Sequence, residues 1–174
     1  GGTVTLHRYD ALNRRIATTR RAVDNSDIEE LRYTWDTNPG AALQCSHGAG
    51  RLCRIDDAVG TRHFAYDPFG RLIEQWTIEL GQTHRQTFAW DPQGRLLGST
   101  DGGGALSFWR DGDGGIKAVR ATVGGAPTTL LIRNGVRLDG GASSTWLSNG
   151  VNVIRKYDTS GKLLNQADNS RAIR

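Results

Sequence analysis

The stretch Phe64–Leu72 reads FAYDPFGRL, and it returns at Phe88–Leu96 as FAWDPQGRL. A pattern that recurs with its turn residues in place limits the fold more than any bulk property of the chain. Asp67 stands at the first position of a type I turn, where a short side chain bonds the backbone ahead of it. Pro68 follows with φ preset, and Gly70 stands where φ must be positive. A type I turn followed by a left-handed residue is a common three-residue hairpin loop. That loop pairs Asp67 with Arg71 and Tyr66 with Leu72. Strict alternation then predicts Phe64, Tyr66, Leu72, Glu74 and Trp76 on one face. The unit is a β-hairpin with an aromatic face and an Asp–Arg clasp near its tip.

Weaker copies flank the two clear ones. Tyr9-Asp10-Ala11-Leu12-Asn13-Arg14 has Asn13 in the place of Gly70, and Asn is the next best residue at positive φ. Ile16–Arg20 reads as its returning strand and Asp24–Glu30 as a polar loop with a single helical turn. Tyr33-Thr34-Trp35-Asp36 restores the signature, and Thr37–Gly40 makes a longer turn. Ser46–Leu52 then reads as a hairpin unit of its own, with His47 in the Asp position, followed by Gly50 and Arg51. In this register Cys45 faces Cys53 across two strands. The positions equivalent to Asp67, namely His47, Asp91 and Asp111, lie about 20 to 24 residues apart, as in a stack of hairpins. Residues 1–116 form this repeat region, and residues 117–174 continue it in degenerate form. Within the latter, Asn134-Gly135 and Asn149-Gly150 predict tight two-residue turns. Tyr157-Asp158-Thr159-Ser160-Gly161-Lys162-Leu163 is the last unit, and Gln166–Arg174 reads as a frayed tail.

Composition supports many short strands. Gly contributes 23 of 174 residues and Pro only 4, and hydrophobic residues reach 37 %. That is enough apolar side chain to fold but lean for a self-sufficient core. The net charge is +4, with the Arg residues scattered and several set after a turn Gly, which argues against a phosphate-tracking nucleic-acid surface. No apolar run is long enough to span a membrane as a helix, and no signal peptide is visible.

Tyr-Asp-x-x-Gly-Arg-Leu at this spacing resembles the YD repeat, also called the RHS repeat. Tyr66, Asp67, Gly70, Arg71 and Leu72 carry the resemblance, with Trp90, Asp91, Gly94, Arg95 and Leu96, and with Tyr157, Asp158, Gly161 and Leu163. Weaker copies begin at Tyr9, Trp35, Ser46 and Arg110. The family includes bacterial RHS polymorphic toxins, C components of insecticidal toxin complexes, and teneurins. The resemblance implies an all-β fold of stacked antiparallel hairpins in a twisted or spiralling sheet, a segment of a shell. It implies a secreted or cell-surface protein whose partners are the rest of the shell and an enclosed toxin domain. The chain lacks the Asp-Pro-x-Gly-Leu stretch that ends bacterial cages and is too short to close a shell, so it reads as a shell segment or a short stand-alone relative.

The candidate chemistry is sparse. His7, His47, His63 and His84 have no metal-ligand spacing, and no cofactor, metal or catalytic residue is expected. Asp56-Asp57 and Glu29-Glu30 are neighbours that point to opposite faces of a strand, a poor geometry for paired acid–base work. Asp111-Gly112-Asp113-Gly114 has the two-residue carboxylate spacing of a Ca²⁺ loop but reads as a repeat turn. Two other readings stay open. The aromatic stripe Tyr33, Trp35, Phe64, Tyr66, Phe88 and Trp90 suits stacking on glycans as well as packing between strands. Residues beyond Ile116 are also open to reading as a small toxin, although no His follows His84.

Overall fold

The computed structural model describes residues 2–22, 24, 26–136 and 142–168. The chain divides into two compact units, Gly1–Phe88 and Ala89–Arg174. Unit 1 holds β1 (Thr3–Tyr9), β2 (Arg15–Ala22), β3 (Asp27–Trp35), β4 (Leu52–Asp56), β5 (Gly60–Tyr66), β6 (Leu72–Glu79) and most of β7 (Gln82–Trp90). Unit 2 holds β8 (Leu96–Asp101), β9 (Gly104–Arg110), β10 (Ile116–Val123), β11 (Ala126–Val136), β12 (Ala142–Leu147), β13 (Asn152–Tyr157) and β14 (Leu163–Asp168). No helix occurs among the described residues. Within each unit the strands follow sequence order, each antiparallel to the next, as a chain of hairpins must.

The core is thin. Among the described residues the buried hydrophobic ones are Ala17, Leu43, Cys53, Ala65 and Ala118, mostly small, while Phe69 and Leu80 are 82 % and 92 % exposed. Cross-strand pairing and tip contacts therefore carry much of the cohesion that a packed second layer gives other sheets.

A β-bulge recurs at five tips, two residues past the position that Arg71 holds in its unit. Tyr66 pairs with Leu72 but Ala65 pairs with Glu74, so Ile73 is skipped. Ile16, Cys53, Lys117 and Leu164 are skipped in the same way. The extra residue reverses the facing of everything after it. Glu74 and Trp76 therefore share a face with Ala65 and His63, not with Phe64 and Tyr66 as strict alternation predicts.

Other local expectations are corrected. The polar loop ends early, because β3 begins at Asp27 and its charges find partners on β2; Arg20 pairs with Glu29 in register and as an ion pair at 3.5 Å. Asn134-Gly135 is no turn. It lies inside β11, where the ladder to β12 shifts register around it, so pairing outweighs the local turn preference; Leu138 lies outside the described residues. Asn149-Gly150 belongs to a three-residue loop: the Leu147 N–H donates to Val151 O at 2.8 Å, and Gly150 has φ 84. Gln166–Asp168 belongs to β14, and the rest of the tail lies outside the described residues.

Candidate functional site: the aspartate turns and an inserted loop

Each regular tip is organised by one carboxylate. Asp67 Oδ1 accepts the Phe69 and Arg71 backbone N–H groups, both at 2.9 Å, and Oδ2 accepts Arg71 Nε at 2.6 Å. The Asp67 N–H donates to Arg71 O at 3.0 Å, and the Gly70 N–H donates to Asp67 O at 2.9 Å. The same set recurs at Asp10 with Leu12 and Arg14, and the Asp91 carboxylate holds the Arg95 N–H and Nε. Asp158 holds the Ser160 and Lys162 N–H groups. The left-handed position is Asn13 at φ 60, Gly70 at 82, Gly94 at 79 and Gly161 at 91. Burial works against ionisation of Asp67, but the Arg71 N–H and guanidinium outweigh it and hold its pKa below 3.8. Asp91 behaves alike with Arg95. At Asp10 the Arg14 N–H is the main cause of a lowered value.

One repeat is split. The Asp36 N–H donates to Arg51 O at 2.9 Å, and Asp36 Oδ1 accepts the Gly50 N–H at 2.7 Å. Trp35-Asp36 and Gly50-Arg51-Leu52 are thus the two halves of a single unit, with residues 37–49 where Pro68 and Phe69 stand in the regular one. This corrects the reading of Ser46–Leu52 as a separate hairpin with His47 in the Asp place. Trp35, not Ser46, pairs with Leu52. Cys45 and Cys53 are joined by a disulfide with Cα atoms 5.4 Å apart, but not as facing strand residues, since residues 36–51 are irregular. Gly48 lies against the bridge: a Cβ there would meet Asp36 O and Cys45 Sγ at 2.5 Å and Cys53 Sγ at 2.7 Å.

Neighbouring repeats are joined side chain to backbone. Trp35 Nε1 donates to Arg15 O at 2.9 Å, the Tyr66 hydroxyl to Leu52 O at 2.7 Å, and one Arg110 guanidinium nitrogen to Leu96 O at 3.1 Å. Each donor precedes a turn Asp. Each acceptor follows the clasp Arg of the repeat before, beside the bulge at Ile16 and at Cys53 in unit 1. Sequence reasoning treated the Tyr/Trp position as apolar packing and missed this role. The available signal was that Tyr, Trp and Arg share a long side chain ending in a hydrogen-bond donor. Arginines add a second set of links. Arg14 binds Asp10 at 2.8 Å and Asp36 at 2.9 Å, the Arg51 guanidinium lies over Gly70, and in unit 2 Arg133 pairs with Asp111.

The aromatic stripe is half-buried and partly capped by cations. Arg15 stands 4.8 Å from the Tyr33 ring centre, Arg14 5.2 Å from Trp35 and Arg51 5.8 Å from Tyr66. A cleft lined by Glu29, Glu30, Arg32, Arg54 and Asp56 has its charges coupled, Arg32 to Glu30 and Arg54 to Asp56. Asp111 accepts the Gly115 N–H at 2.9 Å, as a repeat-turn residue does. Among the described residues no group of three or more His, Cys, Asp or Glu side chains is arranged to hold a metal ion, and no helix is long and apolar enough to cross a membrane.

Residues 66–106 match the RHS Repeat family model. No curated protein sequence matches the chain. Several solved structures share its fold. The crystal structure of TcdB2-TccC3 aligns over 98 % of this chain with a TM-score of 0.79 at 16 % identity. The TcdB2-TccC3-Cdc42 crystal structure gives 0.76 at 15 % over 98 %, and the Photorhabdus luminescens Tc holotoxin pore gives 0.76 at 15 % over 99 %. The chain spans 9 % to 10 % of the length of those chains.

Proposed function

We propose that this RHS-repeat chain is a structural segment of a shell that encloses a toxin or forms a secreted or surface scaffold. The observation that carries the reading is the repeat-to-repeat joinery. The motif residues Asp, Gly, Arg and Tyr or Trp are spent on closing turns and on holding the next repeat. A sheet held this way has little buried apolar area of its own and gains by adding further repeats. The solved chains that it resembles are Tc toxin components, which supports the toxin-enclosing version. On this reading residues 117–174 continue the repeats, Tyr157–Leu163 is the last of them, and the natural partners are neighbouring repeats and the enclosed domain. The guanidinium caps on Tyr33, Trp35 and Tyr66 compete with a sugar for those rings, so the structure gives glycan binding no added support.

The test is biophysical. Sedimentation velocity across a concentration series, with circular dichroism, should show a β-rich chain that self-associates through its end strands. A helix-rich chain that stays monomeric at high concentration contradicts the proposal.

A further inference from the structure

We propose that residues 37–44 form a pH-sensitive lid over the β4–β5 face, fastened by Asn38 on His63 and tethered at its far end by the Cys45–Cys53 disulfide. Asn38, Leu43 and His63 are buried, at 3 %, 8 % and 5 % exposure. Asn38 Nδ2 donates to Leu43 O at 3.0 Å and lies 2.7 Å from His63 Nδ1. An amide nitrogen only donates, so Nδ1 must be the bare, accepting nitrogen of a neutral ring. The ring proton then sits on Nε2, 3.0 Å from Thr61 Oγ1.

Protonating His63 sets N–H against N–H at the Asn38 contact. Rotating the amide does not cure this, because Oδ1 would then face Leu43 O. Asn38 Oδ1 is already a buried acceptor without a partner, so the orientation is held by Leu43 and His63 together. The charged and polar surroundings are few. On β4, Arg54 is the register partner of His63, and Asp56 lies two residues on. On β6, Trp76 is the partner on the other side, with Glu74 on the same face, and on β7 Arg85 pairs with Trp76. Glu74 is engaged by Trp76 Nε1 and by Arg85. Burial first, and Arg54 second, lower the His63 pKa against the opposing pull of Asp56. The neutral ring is thus favoured when folded. The lid is fastened above the ordinary value of 6.5 and loosens as pH falls below it. The far end keeps its hold: the Tyr66 N–H donates to Ser46 O at 3.1 Å and Ser46 Oγ donates to Tyr66 O at 2.8 Å, beside the disulfide. The hinge therefore falls at 44–45, and opening uncovers His63.

Proteinase K cleavage at Leu43 reads the open population when closing is fast. Rates are taken on the whole oxidised chain at pH 7.5 and pH 5 and divided by those of a free peptide of the same sequence. The ratio should rise about tenfold at pH 5, the worth of one hydrogen bond lost, with no new cuts in residues 45–50. His63→Gln keeps an acceptor and a donor but no titration, and its ratio should be equal at both pH values. Asn38→Asp supplies an acceptor for the protonated ring, so its ratio should fall at pH 5. A parent ratio that does not change with pH overturns the proposal. So does an acid rise in His63→Gln or, if that variant does not fold, in Asn38→Asp.

Discussion

Tyr66→Phe isolates the join between repeats. The substitution removes one oxygen and leaves the ring that Arg51 covers. Leu52 O then loses the hydroxyl that it accepts at 2.7 Å, in a part-buried place next to the bulge at Cys53, where the strand ladder skips a residue. A carbonyl left without a partner costs about 1–3 kcal/mol. Partial access of water places this one near the low end, about 1–1.5 kcal/mol. In a domain of this size that lowers Tm by roughly 2–6 °C. Urea titration followed by tryptophan fluorescence should show a lower midpoint at unchanged slope. Tyr33→Phe is the control, since the described contact of Tyr33 is the Arg15 guanidinium on its ring rather than a bond from its hydroxyl. Tyr66→Trp should recover part of the loss, because Trp35 makes the equivalent bond with its indole. The reasoning fails if Tyr66→Phe and Tyr33→Phe cost the same. Alkaline pH gives a second check. Burial first, against the charge of Arg51, raises the Tyr66 pKa above 10.0, so this contribution is intact below pH 10 and is lost as pH climbs past it.

Gly48→Ala should destabilise by about 1–3 kcal/mol through overpacking, since the new methyl meets Asp36 O and both sulfurs; a thiol count on the folded protein should rise, and full oxidation with parental Tm would contradict the packing. Gly70→Val should cost more than Gly94→Val. Both force a β-branched residue to positive φ, at about 1–3 kcal/mol, but only Gly70 has the Arg51 guanidinium over it, whereas Gly94 has open space; equal melting temperatures would remove the Arg51 contact. Asp10, Asp36, Asp67, Asp91 and Asp158 all have lowered pKa values, so their contribution is full above pH 3.8 and is lost as pH falls through the lower folded values. An acid titration should therefore unfold the chain below pH 3.8, and Asp67→Ala should shift the curve more than Asp67→Asn, which keeps an acceptor for the Phe69 and Arg71 N–H groups.

The hairpin fold was legible because its signals are local. Asp67, Pro68 and Gly70 dictate their turn within a few residues, and repetition removes the ambiguity of a single match. What sequence could not show depends on partners distant in the chain. Strict alternation fails at Ile73 because a bulge is set by the neighbouring ladder. Asn134-Gly135 carries a strong turn preference, yet β12 pairs across it. The halves of the split repeat, Asp36 and Gly50-Arg51, are separated by chain that places His47 three residues before Gly50, the spacing of Asp67 and Gly70, so a local reading found a false unit at Ser46. The donor role of Tyr66 needs Leu52 O, which no motif spacing reveals.

The split repeat has an engineering consequence. Asp36 and Arg51 keep one contact of the shorter tips, the Asp36 N–H on Arg51 O, while the carboxylate turns to the Gly50 N–H, although far more chain passes between them. The strand ends thus stay joined through that backbone bond when a longer segment is bracketed, and the entropy of a longer loop rises only slowly with its size. Each tip is then a splice port, where a foreign segment enters and leaves through the same Asp and Gly-Arg gateposts without touching the strand register. A peptide grafted between Asp91 and Gly94 would be carried on the rim of the sheet, displayed at a fixed address rather than trailing from an end.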